Sequence, residues 1–228
     1  MTIEKLSVKT IRQEVYEQLR NKIISAEILP GESITLRDLA SKFGVSLMPV
    51  REALWQLESE KIIVIESNKR MRVNSLTAKE MEEALRLRVM LETLAVERSC
   101  DLFPKEEIPT LESLLETMEA SKDRPKIYMR KNTQFHLTIY SFADSPLLFE
   151  MIERLWARVG PYVYTYGVST QDLSFAMKCH WEIFEALKDK DKQRIKDALS
   201  HDLERTARII IPSLEKSNCP VPENRFRG

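Results

Sequence analysis

Three histidines, His136, His180 and His201, are the entire histidine complement of the 228-residue chain. All lie in its C-terminal half, on three different predicted helices. Asn132 precedes His136 by four residues, so the two share a helix face. Neutral imidazoles arriving from separate helices would make a metal site, since imidazole suits Zn, Ni, Cu or Fe. A histidine in a helix is otherwise a core or surface residue, and spacing alone leaves both readings open. Arg86 and Arg88, on one long predicted helix, could clamp a carboxylate through charge-assisted hydrogen bonds, or form surface ion pairs. Tyr162, Tyr164 and Tyr166 alternate ahead of the His180 helix, either lining a pocket or packing.

The stretch FGVSLMPVREAL, residues 43–54, points to different chemistry. Gly44 tolerates the left-handed conformation that ends a helix. Ser46 can cap the next helix, and Pro49 falls in its first turn, where a missing N–H costs little. A sharp turn of this kind lets the second helix project its N-terminal end into a major groove. Ser46 would leave helix N–H groups facing a phosphate. Arg51, one turn inside, would reach a guanine edge or a phosphate, and a bidentate Arg–guanine pair discriminates by about 1–3 kcal/mol. Arg37 projects from the preceding helix. Lys69, Arg70 and Arg72 put three charges on a hairpin tip, suited to the minor groove or its flanking phosphates. The alternatives are a winged helix that binds protein and a hairpin tip that is simply solvated.

These residues need elements to position them. Apolar residues Ile11, Val15, Leu19 and Ile23 repeat every four positions and predict a helix over 10–25, stopped by the Leu-Pro-Gly at 29–31. Thr35 caps a short helix, and the helix after Ser46 runs to about Ser59, burying Val50, Ala53, Leu54 and Leu57. A strand at 62–66 and a return strand from Met71 to Asn74 complete a winged helix-turn-helix over residues 1–75. Trp55 is expected on an exposed helix face, packing against the second domain. Thr77 and Glu80 form a capping box that opens a helix to about Cys100. Further helices are predicted at roughly 105–121, 127–143, 146–159, 170–189 and 191–211, giving an all-helical domain over 76–213 and a tail at 214–228. The fold class is mainly α.

Composition narrows the function. Lys+Arg and Asp+Glu both number 35, so the formal net charge is zero. Residues 1–75 hold 12 basic against 10 acidic residues, the remainder 23 against 25. Any DNA binding must therefore come from local placement of charge. No run of eighteen apolar residues and no signal peptide is present. Cys100, Cys179 and Cys219 are too far apart for a CxxC pair, which fits a reducing cytoplasm.

Leu39-Ala40, Phe43-Gly44-Val45-Ser46, Pro49-Val50-Arg51-Glu52-Ala53-Leu54 and Leu57-Glu58 together resemble the N-terminal domain of GntR-family bacterial transcription regulators, over about residues 10–74. The resemblance implies DNA contacts at the positions of Arg37, Arg51 and the wing tip. Two positions depart from the family pattern. Leu47 stands where an arginine usually follows the serine, and Arg70 where the wing usually has a glycine. Leu47 and Met48 could instead touch a thymine methyl, so the operator is expected to differ from the common family site.

The C-terminal part resembles the FCD ligand-binding domain of the FadR subfamily. Its marks are Leu85-Arg86-Leu87-Arg88 with Leu91-Glu92, Phe135-His136, His180 with Ile183 and Ala186-Leu187, and His201. In many such domains an Asp and three histidines hold a divalent metal. The resemblance therefore implies His136, His180, His201 and Asn132 as ligands for Zn, Ni or Mn, with a neutral amide in place of the Asp carboxylate. It further implies a cytoplasmic homodimeric repressor that binds a near-palindromic double-stranded operator and responds to a small organic acid, with Arg86 and Arg88 as candidate effector contacts. A three-histidine metalloenzyme is the competing class. No HExxH motif and no evident general base support it, so the expectation is a regulator and not an enzyme. A protein-interaction module is the third reading.

Overall fold

The computed structural model describes residues 9–66, 70–168 and 173–216. The chain divides into two compact units, Met1–Ser75 and Leu76–Gly228. Lys69 and the neighbouring wing tip, and Cys219, lie outside the described residues.

In the first unit α1 (Ile11–Ile24) starts at a capping box in which Thr10 and Gln13 satisfy each other's backbone N–H groups. It buries Val15, Leu19, Ile23 and Ile24. These pack against Val50, Ala53, Leu54 and Leu57 of α3 (Leu47–Ser59). Each of the Val, Leu and Ile side chains removed from water contributes about 1.5–3 kcal/mol. Tyr16 ties the same helices by donating its hydroxyl to Glu60, 2.8 Å away. The intervening α2 (Leu36–Phe43) is capped by Thr35, which accepts from the Asp38 N–H. Gly44, at φ 65°, ends α2 in the left-handed region. Ser46 occupies the N-cap position of α3, yet its side chain makes no capping bond.

The wing is a three-stranded antiparallel sheet in the order β1-β3-β2. It comprises β1 (Ser33–Ile34), β2 (Ile63–Ile65) and β3 (Met71–Val73). The short β1 was not visible in the sequence, because a two-residue strand has no periodicity to read. Its Ser33 pairs with Arg72 and its Ile34 with Met71.

The second unit is all-helical. The helix α4 (Ala78–Leu102) opens at the Thr77–Glu80 capping box and buries one continuous stripe: Met81, Ala84, Leu85, Arg88, Glu92, Ala95, Val96, Ser99 and Cys100. Two members of that stripe are charged. Around α4 pack α6 (Pro125–Ser141), α7 (Pro146–Tyr162) and α9 (Lys192–Lys216). Helices α5 (Ile108–Glu119) and α8 (Ser174–Asp189) complete the bundle. Ser99 Oγ stitches α4 to α6 through the Ile139 carbonyl at 2.7 Å. Among the described residues, no helix is long and apolar enough to cross a membrane.

Prolines act differently from expectation at three places. Pro109 displaces the start of α5 to Ile108, behind a short 3-10 turn at Lys105–Glu107. Gly160-Pro161 does not end α7. The helix continues to Tyr162 and then winds as a π-helical turn over Val163–Val168, a response to a missing i→i−4 bond. Pro212 likewise lies inside α9, which runs past the expected end near 211 to Lys216.

An added Cβ at Gly44 would meet nothing within 4 Å, so space does not demand glycine there; only the left-handed backbone does. Gly44→Ala is expected to cost about 1–2 kcal/mol in urea unfolding, and Gly44→Asn clearly less. Equal losses for both would show that backbone conformation is not the constraint.

Candidate functional site

The helical unit encloses a cavity of about 50 Å³. The helix α6 points Tyr128, Asn132 and His136 into it, a row repeating every four residues. Arg88 comes from α4, Trp156 from α7, His180 from α8 and Asp202 from α9. His136 Nε2 and His180 Nε2 lie 3.1 Å apart. Asp202 Oδ2 is 3.8 Å from the first and 3.7 Å from the second.

Of the four expected ligands, three line the cavity: His136, His180 and Asn132. His201 does not. It is exposed, and its neighbour Asp202 takes the inward position. The cause is helical rotation, about 100° per residue. The buried stripe of α9 is Ile195, Ala198, Leu199, Asp202 and Leu203, and residue 201 falls off it. Hydrophobic periodicity alone would have selected Asp202. The change alters the electrostatics: the donor set carries a carboxylate after all, on α9 and not at position 132.

Arg86 and Arg88 also separate. Residues two apart on a helix face nearly opposite ways. Arg86 is on the surface, 2.6 Å from Glu82 one turn earlier. Arg88 is 2% exposed and bonded through Nε to Glu92 Oε1 at 2.6 Å. Its guanidinium carbon stands 4.3 Å from the Trp156 ring centre. Glu92 also accepts a hydrogen bond from the Tyr140 hydroxyl at 2.7 Å, and Tyr140 Oη lies 3.1 Å from His136 Nδ1. Neither Glu92 nor Tyr140 was singled out from the sequence as a functional residue.

Burial dominates the titration of this site. It holds the His136 imidazole well below its ordinary range, with His180 and Arg88 adding to the effect. It also lowers His180, against the opposing pull of Asp202, and raises the Asp202 carboxyl against His180 and Arg88. Both imidazoles are therefore neutral, the form that ligates a metal.

Nitrogen and oxygen donors held about 2.0–2.2 Å from one ion lie roughly 3–4 Å from each other, which is the spacing of these three atoms. Two histidines and a carboxylate would leave coordination positions open toward Asn132 and the cavity. Tyr128 Oη, Trp156 Nε1 and His180 Nδ1 are buried without hydrogen-bond partners among the described residues. The first two belong to cavity-lining residues and are free to bond the oxygens of a small molecule.

Tyr162, Tyr164 and Tyr166 are buried, and the cavity wall includes Val163. Tyr162 Oη accepts the Leu76 backbone N–H at 2.6 Å, a bond that spans 86 positions and fastens the start of the unit to the end of α7.

In the first unit, Ser46, Leu47, Met48 and Arg51 are exposed at the N-terminal end of α3, and Arg37 is exposed on α2. Leu47 and Met48 are 42% and 58% exposed, which is unusual for apolar residues on an otherwise well-packed helix. Trp55 is exposed one turn beyond Arg51. On the wing Arg70 is exposed, whereas Arg72 is half-buried and paired with Glu66.

Comparison with known proteins agrees with these two units. Residues 11–73 match the bacterial regulatory proteins of the gntR family, and residues 83–205 match the FCD domain. The HTH-type transcriptional regulator McbR of Escherichia coli K12 is 26% identical over 211 residues, covering 90% of this chain and 95% of that protein. The gluconate operon transcriptional repressor of Bacillus licheniformis is 32% identical over 204 residues, covering 88% and 79%. The solved structure of E. coli McbR/YncC superposes with a TM-score of 0.83 at 26% identity, covering 93% of this chain and all of that one. A winged helix with an exposed N-terminal end on α3, joined to a helical unit with a buried donor cluster, thus resembles known transcription regulators, and the chain belongs to the GntR family of bacterial transcription regulators, in the branch that carries an FCD domain.

Proposed function

We propose that this regulator is a homodimeric repressor whose hold on a near-palindromic operator is set by a small carboxylate, bound through a divalent ion in the cavity of the helical unit. The convergence of His136 Nε2, His180 Nε2 and Asp202 Oδ2 within 3.8 Å of one another carries this reading. A bound divalent ion would supply a Lewis-acid centre with open positions. One protein carboxylate against two positive charges leaves an excess of positive charge, which favours an anionic effector. The cavity of about 50 Å³ admits a few water-sized groups, hence an acid of few carbons. Trp156 Nε1 and Tyr128 Oη would donate to its oxygens. Arg88, committed to Glu92, shapes the wall and does not clamp the acid. The likeness to a repressor named for a gluconate operon is in keeping with a carboxylate effector.

On the DNA side Ser46, Leu47, Met48 and Arg51 would meet base edges and phosphates in the major groove, with Arg37 on the backbone. Arg70 would reach from the wing, and Arg72, sharing its charge with Glu66, would add less. Two copies would bind two half-sites. A second copy is supported by the apolar row Leu87, Met90 and Leu94, which α4 leaves 42%, 67% and 46% exposed at helical spacing. A carboxylate that prefers one arrangement of the dimer by about 1–3 kcal/mol is enough to release the operator.

Protein purified without chelator or affinity tag should contain a near-stoichiometric divalent ion by elemental analysis. His136→Ala and Asp202→Ala should lose it, and His201→Ala should keep it. Metal-free parent protein, even after Zn²⁺, Ni²⁺ or Mn²⁺ is supplied, would end the metal reading. Operator affinity should fall steeply with salt, and Arg51→Ala should lose the preference for operator over random DNA. An unchanged preference would displace α3 as the reading helix.

The buried imidazoles also make a pH prediction for the metal-free protein. Unfolded, each takes a proton near its ordinary value of 6.5; folded, each resists it. The unfolded state therefore binds more protons below 6.5, and these two groups weaken folding as the pH falls through that point. Urea unfolding should show a steeper decline from pH 7.5 to 5.5 in the parent than in His136→Asn.

A further inference from the structure

The hydrogen bonds behind His136 have a determinable direction. Glu92 takes Arg88 Nε on Oε1 at 2.6 Å, and the Tyr140 hydroxyl on Oε2 at 2.7 Å. A carboxylate in an ion pair has no proton to give, so Tyr140 must be the donor in that bond. Tyr140 has one proton, and it is used there. The Tyr140 oxygen then faces His136 Nδ1 at 3.1 Å with only lone pairs to offer. The contact is a hydrogen bond only if Nδ1 carries the hydrogen. A neutral imidazole has one N–H, so His136 Nε2 is left bare, directed at His180 Nε2 and Asp202 Oδ2.

We propose that Tyr140, oriented by the Arg88–Glu92 pair, is a positioning residue that locks His136 in its Nδ1–H tautomer and thereby presents Nε2 as a ready-made metal donor. The consequence for metal binding rests on the function proposed above; the tautomer does not. The arrangement has a carboxylate behind the histidine that acts through an interposed phenol. The phenol lies four residues after the histidine on the same helix, so α6 fixes both ends of the bond. Arg88 is held in turn by the face of Trp156, 4.3 Å away, so α4, α6 and α7 all join in setting one ring nitrogen. His180 is constrained in turn: a bare His136 Nε2 accepts at 3.1 Å only if His180 Nε2 carries the hydrogen, and His180 Nδ1 has no hydrogen-bond partner among the described residues. The two histidines therefore differ: His136 presents Nε2 before a metal arrives, and the ring proton of His180 must leave Nε2 for a metal to bind there.

The full-length, metal-stripped, ¹⁵N-labelled protein tests this through long-range ¹H–¹⁵N spectra of its three histidines, with His136 assigned by His136→Asn. The expected spectrum has Nδ1 protonated and Nε2 bare. In Tyr140→Phe, which keeps the ring and removes the acceptor, that pattern should be lost and Zn²⁺ affinity by chelator competition should fall roughly 10–100-fold. A purely structural tyrosine would lower the melting temperature and leave the tautomer alone. An Nε2–H tautomer in the parent overturns the proposal without need of any variant. So does a Phe variant with parental spectrum and parental Zn²⁺ affinity. An Nδ1–H tautomer in a parent that takes up no Zn²⁺ supports the locking by Tyr140 and overturns only the metal reading.

Discussion

Arg88 and Glu92 face each other one helical turn apart, almost without solvent contact, at the centre of the helical unit. Taking such a pair out of water costs several kcal/mol per ion, and mutual attraction offsets that only when the remaining donors and acceptors are also used. Here they are. Trp156 covers the guanidinium, and Tyr140 occupies the carboxylate oxygen that Arg88 reaches only at 3.4 Å. Losing one partner of such a pair typically costs about 3–5 kcal/mol, whereas replacing both with apolar residues can be neutral. The pair is therefore poor evidence for stability and better evidence for a demanded geometry. Three helices must keep one mutual placement for the charges to stay satisfied, and the cavity lies where those helices meet.

Most of the first unit was legible in the sequence, for local reasons. The cap at Thr35, the left-handed glycine at 44 and the four-residue repeat of α1 are signals that nearby residues set and read, as is the capping box at Thr77 that opens the second unit. The site was legible only in part. His136, His180 and Asn132 were singled out through the family resemblance, with spacing placing Asn132 and His136 on one helix face, and their row and neighbours follow from α6 and α8. His201 misled because residue type was weighed above position: one step along α9 separates a solvent-facing imidazole from an inward carboxylate. Glu92 and Tyr140 were hidden for another reason. A charged residue within a buried stripe, and a tyrosine four residues past a histidine, acquire meaning only when a third helix supplies the partner.

The two units divide the electrostatic work in opposite ways. The reading end of α3 has few charges, and its apolar Leu47 and Met48 are presented where many such helices would offer more cation. A selectivity resting on shape and a small number of contacts, as proposed above, would suit a chain of zero net charge. In the helical unit a small group of charged and titratable residues is hidden. Burial lowers His136 and His180, and Asp202 opposes that effect at His180. One surface is built for transient contact across water and the other for contact that excludes it.

The bond from Leu76 N–H to Tyr162 sets where the tether between the units begins. A tether anchored at a fixed point confines what it carries to a small volume. In the paired regulator proposed above, that confinement would act as a local concentration of the second reading head once the first had docked. Releasing the anchor would lengthen the free chain, enlarge the volume searched and dilute the second head without touching any residue proposed to meet DNA. On that proposal the Tyr162 hydroxyl, at the end of the helix that also carries Trp156, would control tether length as well as make a structural bond.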